Sequence, residues 1–324
     1  MASQDNDPYF SWPLEAGERG REVWYSLVSH PDEPVGFWYR YTLLSTDSGH
    51  QEARVWAALT DKESSGNGVV THRFPIESVG VEDDPFRLSV ESNELTSSSA
   101  KGSVEDVEWS LSYEPDDETF VPLEDDGIGG ETGDHWSANQ SVEMTGTVGV
   151  GGVEYRFKDA PGHQGHTVGT APPPSWSWTH ANSFGDESVV VVEALEFAGM
   201  VTICFRHDGE MYAFNTIDQI LEGNESVENE PGEWVFEAER DDVEVHVEVE
   251  VEDPELWKKA AYLTPDDTVR YVSHASLANI EVEYETEEGE GTLETDKGRA
   301  EWAGKEPPVG VAEEYSPEEF ARKG

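Results

Sequence analysis

The sequence is poor in cysteine, in long apolar runs and in basic residues. Cys204 is the only cysteine, so no disulfide can form within the chain. It lies in the apolar run 201–205, which is typical of a buried, unreactive thiol. No apolar stretch approaches 18 residues, which argues against a membrane-spanning helix, and the first residues lack the basic and apolar regions of a secretion signal. We therefore expect a cytoplasmic protein.

The shortage of basic residues gives the chain an extreme charge. Lys and Arg number 20 against 70 Asp and Glu, and the formal net charge is −50. Acidic residues are spread along the whole chain, which predicts adaptation to molar salt, where screening acts within about 3 Å. An acidic protein that mimics nucleic acid or binds cations is the alternative, but the 11 Trp, 11 Tyr and 12 Phe favour a well-packed globular chain. Without a basic patch, nucleic acid and anionic membrane surfaces are not expected as partners.

What the sequence has in abundance is short β-type runs. Aromatic and β-branched stretches recur about every ten residues, separated by turn residues, as in 23–28, 35–44 and 53–59. Valines alternate with acidic residues and His246 from Val243 to Val251, which predicts a half-buried antiparallel strand. Gly151 and Gly152 lie between two such runs and predict a tight hairpin turn. The pattern predicts an all-β protein of barrels or sandwiches.

Helices and domains follow from the remaining segments. Helix is scarce: residues 216–221 and 254–262 predict short turns, and residues 317–323, after Ser316 as N-cap, predict a terminal helix. A chain of 324 residues predicts two β-domains. The acidic, Gly-rich loop at 114–134 precedes the second, so we expect domains at 1–140 and 141–324.

Functional residue types concentrate in two neighbouring segments, 159–169 and 175–184. They contain three His, two Trp, one Asn and Asp159, in a chain with ten His. Strand alternation would place Trp176, Trp178, His180, Asn182 and Phe184 on one face. Such an aromatic face with polar groups is typical of a ligand pocket. No nucleophile or nucleotide-binding motif is present, so no cofactor is expected.

Three signals follow one another from residue 141 onward: the Gly-rich hairpin at 145–157, the segment Gly162-His-Gln-Gly-His-Thr-Val-Gly169 and the Trp-rich strand at 176–180. This order resembles the carotenoid hydratase, tocopherol cyclase and AttH-like superfamily. The resemblance implies two lipocalin-like antiparallel β-barrel domains packed together, with a pocket for an isoprenoid or other small hydrophobic molecule. Members of this superfamily include enzymes that hydrate a double bond and enzymes that cyclise a prenyl tail.

The resemblance also marks departures from the family pattern. His166, Gly169, Trp176 and Trp178 fall on its recurring positions. Many relatives have Asp directly before the His, where this chain has Gly165, so the expected proton donor of a hydratase is missing.

Protonation of a double bond needs a general acid and aromatic walls that stabilise a carbocation. We expect Asp159, His166 or His180 to supply the acid. We expect the ligand to contact a set of aromatic and amide side chains: Trp176, Trp178, Asn182, Trp38 and Tyr41.

Two other interpretations of these residues stay open. The histidines and tryptophans could be purely structural, in a lipid-binding or structural protein without catalytic activity. Alternatively, His163, His166, His180 and Asp159 could supply nitrogen and oxygen ligands to a metal ion. A buried acid beside the Trp face would favour an enzyme, whereas a wholly apolar pocket would favour a carrier. The sequence leaves the ligand, the oligomeric state and the domain that holds the pocket undetermined.

Overall fold

The fold comes from a computed structural model, which describes residues 6–64, 69–116, 118–123, 134–171, 173–185, 190–287 and 289–305. Its strands form two antiparallel sheets. The first contains eleven strands in the order β4-β3-β2-β1-β11-β10-β9-β8-β7-β6-β5. These strands are β1 Gly20–Ser29, β2 Val35–Ser45, β3 Gln51–Asp61, β4 Val70–Pro75, β5 Val79–Asp83, β6 Phe86–Val90, β7 Asn93–Thr96, β8 Ser99–Val104, β9 Val107–Ser112, β10 Asp134–Val150 and β11 Val153–Gly169.

The second sheet contains ten strands, nine of them in the order β15-β14-β13-β12-β21-β20-β18-β17-β16, with β19 paired to β20. These strands are β12 Trp176–Ala181, β13 Val191–Phe197, β14 Met200–His207, β15 Glu210–Phe214, β16 Asn224–Glu230, β17 Glu233–Arg240, β18 Val243–Glu250, β19 Lys258–Leu263, β20 Val269–Thr286 and β21 Gly289–Gly304. One short α-helix, α1 Ile217–Glu222, is found in the described part of the chain. The expectation of two lipocalin-like antiparallel β-domains is confirmed.

The short-range expectations can be compared with these elements. The predicted hairpin forms at Gly151 and Gly152, since Val150 pairs with Val153. The alternating Val–Glu segment forms β18, with every valine buried. The turn expected at 216–221 is α1, whereas most of 254–262 continues as β19 after one 3-10 turn at Pro254–Leu256. The helix expected at 317–323 lies outside the described residues.

Sheet membership changes between β11 and β12. The long strands β10 and β11 complete the first sheet, because β11 pairs with β1, and the second sheet begins with β12. Residues 141–169 therefore lie in the first sheet, about 30 residues beyond the expected boundary at 140. The position at which independently folding units divide stays a prediction.

Three hydrophobic cores explain why the two sheets pack together. One lies inside the first sheet and contains Trp24 and Tyr41, and another lies inside the second sheet and contains Trp234. The third lies between the sheets and contains Trp38 and Trp178 among other buried side chains. Since successive strand residues point to opposite faces, β1 and β2 contribute alternate residues to the first core and to this interdomain core.

Candidate functional site between the two sheets

A cavity of about 450 Å³ lies between the two sheets. Its volume is within the range of small-molecule pockets, roughly 300–1,000 Å³. Tyr25 and Trp38 line it from strands β1 and β2 of the first sheet, and Trp176 and Trp178 line it from β12 of the second. Four aromatic rings and several aliphatic side chains therefore surround a space that both domains are needed to form.

Each of the two tryptophans on β12 binds a carboxylate through its indole N–H. Trp176 Nε1 donates to Glu301 Oε1 at 2.8 Å, and Trp178 Nε1 donates to Glu193 Oε1 at 3.0 Å. Glu301 lines the cavity, whereas Glu193 is fully buried beside it. The aromatic wall of the cavity thus carries two acids, one facing the ligand space and one behind it.

Glu301 forms a pair with His274 at the cavity wall. The register of β20 and β21 places the two residues opposite each other, and His274 Nδ1 lies 3.6 Å from Glu301 Oε2. Burial opposes ionisation of Glu301, but the nearby His274 imidazole, the charge of Arg40 and the hydrogen bond from Trp176 lower the pKa of this carboxyl group. His274 stacks on Trp38, with ring centroids 5.4 Å apart. An ionised carboxylate therefore adjoins an imidazole and two indole rings.

Behind Trp178 lies a buried polar cluster built around Glu193. Ser137 Oγ donates to Glu193 Oε1 at 2.6 Å, and Gln140 Nε2 donates to Oε2 at 3.3 Å. Both donors come from β10, at a stretch where irregular pairing with β11 redirects the side chains. Burial raises the pKa of Glu193, although its three hydrogen bonds act in the opposite direction.

His163 and His180 complete this cluster. The Nε2–H of His180 donates to the carbonyl oxygen of Gln140 at 2.9 Å, and its Nδ1 lies 3.2 Å from Arg299 Nη1. His163 Nε2 lies 4.0 Å from Glu193 Oε2, beyond hydrogen-bond distance, and neither ring nitrogen of His163 has a partner among the described residues. Burial, with the charge of Arg299, lowers the pKa of both histidines well below the ordinary value. Both rings are therefore neutral at pH 7.

Tyr25 separates this buried cluster from the cavity. Its ring lies across Gly165, where an added Cβ would come within 2.4 Å of the Tyr25 ring and hydroxyl. Its hydroxyl group lies 2.9 Å from His135 Nε2. Gly165 is where the sequence departs from the expected family pattern, and here the Tyr25 ring occupies the space that a side chain would need.

Three of the expected ligand contacts line the cavity and two do not. Trp38, Trp176 and Trp178 face the ligand space. Tyr41 lies on the opposite face of β2, in the core of the first domain, and its hydroxyl donates to the carbonyl oxygen of Lys101 at 3.2 Å. Asn182 lies beyond β12 and bonds Arg299 Nη1 and the carbonyl oxygen of Gly162.

The residues expected to supply the acid are dispersed. His180 lies in the buried cluster behind Trp178. His166 points into the first domain, where its Nε2 bonds Glu22 Oε1 at 3.0 Å and its ring stacks on Trp24. Asp159 is 61% exposed on the β10–β11 hairpin, where Thr145 is its partner. The structure therefore separates these three residues from one another.

The alternation expected for 175–184 holds only inside the strand. Trp176, Trp178 and His180 share the interdomain face, but β12 ends at Ala181. Phe184 packs in the core of the second domain instead. The metal set drawn from the same segments is separated too, since His166 and Asp159 lie apart from His163 and His180.

The two acids Glu193 and Glu301 and the imidazole of His274 were not predicted from the sequence. Glu193 is a lone carboxylate inside the apolar run 189–195, and Glu301 is flanked by alanine and tryptophan. An acidic residue inside an apolar run is a usable signal, because its burial needs hydrogen-bond partners. His274 has no comparable signal, because it comes from β20, about 100 residues after the Trp strand.

Comparisons with known proteins agree with this architecture. The family model of tocopherol cyclase-like proteins matches residues 139–291. An uncharacterized protein of Mycobacterium tuberculosis is 21% identical over 288 residues, which cover 84% of this chain and 83% of that protein.

Solved structures share the whole fold at low sequence identity. An AttH-like protein from Nitrosomonas europaea matches with a TM-score of 0.55 and 11% identity over 92% of this chain and 97% of that one. Kievitone hydratase from Nectria haematococca matches with a TM-score of 0.53 and 12% identity, over 93% of this chain and 92% of that one. CghA with Sch210972 matches with a TM-score of 0.56 and 10% identity, over 89% of this chain and 88% of that one.

These findings define a two-domain, lipocalin-like β protein with a ligand-sized cavity between its domains. The similarity to tocopherol cyclase-like proteins over residues 139–291, and to the folds of an AttH-like protein, kievitone hydratase and CghA, agrees with the resemblance that the sequence pattern predicts. In the described part of the chain, no helix is long and apolar enough to cross a membrane.

Proposed function

We propose that the interdomain cavity binds a hydrophobic, isoprenoid-type molecule and that the protein protonates one of its double bonds, which leads to hydration or cyclisation. The observation that carries the proposal is the Glu301–His274 pair beside Trp38 and Trp176 in a cavity of about 450 Å³. A purely apolar pocket would suit a carrier, whereas a carboxylate–imidazole pair at an aromatic wall suits acid–base chemistry.

Each group has a defined role in this proposal. His274, held beside the ionised Glu301, donates a proton to one alkene carbon and leaves a carbocation on the other. The rings of Trp38, Trp176 and Trp178 stabilise that cation through cation–π attraction, and Glu301 adds electrostatic stabilisation.

Two outcomes then return the proton. In hydration, a water oxygen attacks the cation and its excess proton returns to His274, so the product is an alcohol. In cyclisation, a second double bond attacks the cation and the positive charge moves to the far carbon of that double bond. A carbon next to the new cation then gives its proton to His274, so the product is an isomer of the substrate. The Glu193 cluster takes no direct part, because it is buried behind Trp178 and holds that ring in position.

The comparisons support the proposal at the level of the reaction class. The matching family is described as tocopherol cyclase-like, and one of the structural neighbours is a hydratase by name. Both names are consistent with acid-promoted chemistry on a double bond.

The proposal is tested by incubating the protein with lycopene or geranylgeraniol in molar salt and analysing extracts by mass spectrometry. Hydration adds the mass of one water, and cyclisation gives an isomer with a new retention time. We expect Glu301→Gln and His274→Gln to lose turnover while the exposed control Glu290→Gln keeps it. Stoichiometric binding without any product in wild-type protein would favour the alternative, a lipid-binding protein without catalytic activity.

A metal site is a second candidate, supported by the buried cluster. Ligand atoms of His163, His180 and Glu193 lie within 4.8 Å of one another, and both nitrogens of His163 lack partners among the described residues. Two neutral imidazoles and a carboxylate form a ligand set that suits zinc. Against it, both nitrogens of His180 have partners and the charge of Arg299 lies close.

Metal analysis shows whether the cluster of His163, His180 and Glu193 is a metal site or a structural cluster. If the metal site exists, protein dialysed against zinc and then against buffer keeps one zinc per chain, and His163→Gln loses it. If the wild-type protein keeps no zinc, the proposed metal site is refuted.

We also propose that the protein works at high salt, on the basis of its net charge of −50.

A further inference from the structure

Two arginines line the same cavity. Arg21 comes from β1 and Arg40 from the neighbouring β2. The Arg40 side chain is buried, with its guanidinium 3.8 Å from the ring centre of Tyr262 and its Nε donating to Thr42 Oγ1 at 3.0 Å. Arg21 is less enclosed, but its Nε is buried and has no hydrogen-bond partner within the described residues. Their location is unusual in a chain with only 20 basic residues.

Neither arginine has a carboxylate partner. Within the described ranges, no carboxylate oxygen lies within 4.0 Å of the nitrogens of Arg21 or Arg40, whereas five other arginines form such pairs: Arg19, Arg54, Arg87, Arg156 and Arg206. Because acidic residues outnumber basic ones by 70 to 20, carboxylates are plentiful. A positive charge left without a counter-ion in a partly desolvated site is unfavourable.

The environment of Arg21 reflects this unbalanced charge. Burial and the positive charge of Arg40 lower the pKa of Arg21 to about 9, against weaker opposing effects of Tyr262 and Glu301. Arg21 is therefore still charged at pH 7, in a site that disfavours the charge. An anion placed between the two guanidinium groups would relieve this cost.

The acidic groups of the cavity do not fill that role. Glu301 accepts a hydrogen bond from Trp176 and adjoins His274, and its charge acts on Arg21 and Arg40 only from beyond ion-pair distance. Asp134 also lines the cavity, and it is not among the groups that shift the pKa of Arg21. The remaining titratable lining groups are His135 and Tyr25, which bond each other.

On the first-sheet surface of the cavity, Arg21 lies at one end, Arg40 lies near the middle and the apolar wall lies at the other end. Along β1 the cavity-lining residues run from Arg21 through Tyr25 to Leu27. Arg40 pairs with Tyr25, and Trp38 pairs with Leu27. The surface therefore passes from Arg21, through Arg40 beside Tyr25, to the aromatic and aliphatic end at Leu27 and Trp38. This order matches an amphipathic molecule with an anionic head and an apolar tail.

We propose that the ligand of this cavity is an isoprenoid-type molecule with an anionic oxygen head group, a carboxylate or a phosphate, bound by Arg21 and Arg40. This inference rests on the proposed function, because it assigns the substrate class of the same cavity. Guanidinium groups bind carboxylate and phosphate through paired N–H donors, which makes arginine well suited to such a head.

The test compares ligands that share a tail and differ in the head. Binding of retinoic acid and retinol, and of geranylgeranyl diphosphate and geranylgeraniol, is measured by quenching of tryptophan fluorescence. Wild-type protein should bind at least one anionic ligand about tenfold or more tightly than its alcohol, since a charge-assisted bond contributes roughly 1.5–3 kcal/mol. A preference for retinoic acid over retinol would identify a carboxylate head group, and a preference for geranylgeranyl diphosphate over geranylgeraniol would identify a phosphate.

Substitutions then locate the effect. Arg21→Gln should remove most of the preference for the acid while affinity for the alcohol stays within about twofold. The matched control Arg87→Gln, at an exposed site on β6, should leave both affinities unchanged. Circular dichroism and the urea midpoint verify that each variant is folded, and the wild-type comparison of acid with alcohol needs no variant.

Two results would overturn the inference in distinguishable ways. Equal affinities for acids and alcohols would refute the anionic head group and leave the isoprenoid cavity intact. Absence of binding for all four ligands would contradict the proposed function as well.

Discussion

Replacement of Gly165 by alanine tests how the Tyr25 ring shapes the cavity wall. The added Cβ would lie 2.4 Å from Cζ and the hydroxyl oxygen of Tyr25, whereas non-bonded carbon atoms are most favourable near 3.5–4.0 Å. The ring must therefore move by more than about 1 Å. That movement breaks the contact between Tyr25 and His135, which are 2.9 Å apart.

The expected cost can be worked out from these contacts. Overpacking costs about 1–3 kcal/mol, and a lost hydrogen bond adds roughly 1 kcal/mol. Alanine recovers about 0.5–1 kcal/mol relative to glycine in a strand. We therefore expect Gly165→Ala to lower the free energy of unfolding by about 1–3 kcal/mol.

A double-mutant cycle in urea, followed by tryptophan fluorescence in molar salt, isolates this contact. In a Tyr25→Ala background the same change at Gly165 should be neutral or slightly stabilising, because the obstructing ring is gone. Gly304→Ala is the matched control, since nothing lies within 4 Å of its added Cβ. Equal effects of Gly165→Ala with and without the Tyr25 ring would refute the reasoning.

Three further predictions concern burial and charge. Glu193→Ala should lower the free energy of unfolding in urea by at least about 3 kcal/mol, because it leaves three buried donors unpaired; a smaller effect than that of an exposed Glu290→Ala would contradict it. Burial lowers the pKa of His135 from 6.5 to about 4, so the folded state binds fewer protons than the unfolded state below pH 6.5. The free energy of unfolding should therefore decrease as the pH is lowered from about 6.5 to about 4, and His135 should account for a loss of about 2 kcal/mol at pH 5 relative to pH 7. His135→Gln should show a flatter pH profile in the same urea assay. Finally, the thermal midpoint should rise between 0.2 and 2 M NaCl, roughly the range over which screening contracts to a few Å, and an unchanged midpoint would contradict the proposed high-salt adaptation.

Much of the fold follows from local sequence patterns. The alternation in β18 and the Gly151–Gly152 turn are short-range features, and the structure has them where the sequence places them. The sequence did not show that residues 141–169 belong to the first sheet. They do so because β11 pairs with β1, which lies more than 130 residues earlier in the chain. Such pairing depends on the whole tertiary structure and leaves no local signal.

The site was predictable only in part, for a related reason. Trp176 and Trp178 were found because aromatic residues alternate on one short strand. Asp159 was expected in the site because it is close to the histidines in sequence, but a left-handed backbone conformation on the β10–β11 hairpin turns it to solvent. Glu301 and His274 reach the Trp strand through the register of β20 and β21, which spans residues far apart in the chain.

The most direct test of the proposed chemistry is deuterium transfer from solvent to carbon. Wild-type protein is incubated with lycopene and geranylgeraniol in D₂O, exchangeable sites are returned to hydrogen, and the products are analysed by mass spectrometry. Protonation of a double bond predicts one carbon-bound deuterium in the product of either hydration or cyclisation, which Glu301→Gln and His274→Gln should abolish. Bound substrate that is recovered without any carbon-bound deuterium would contradict the account.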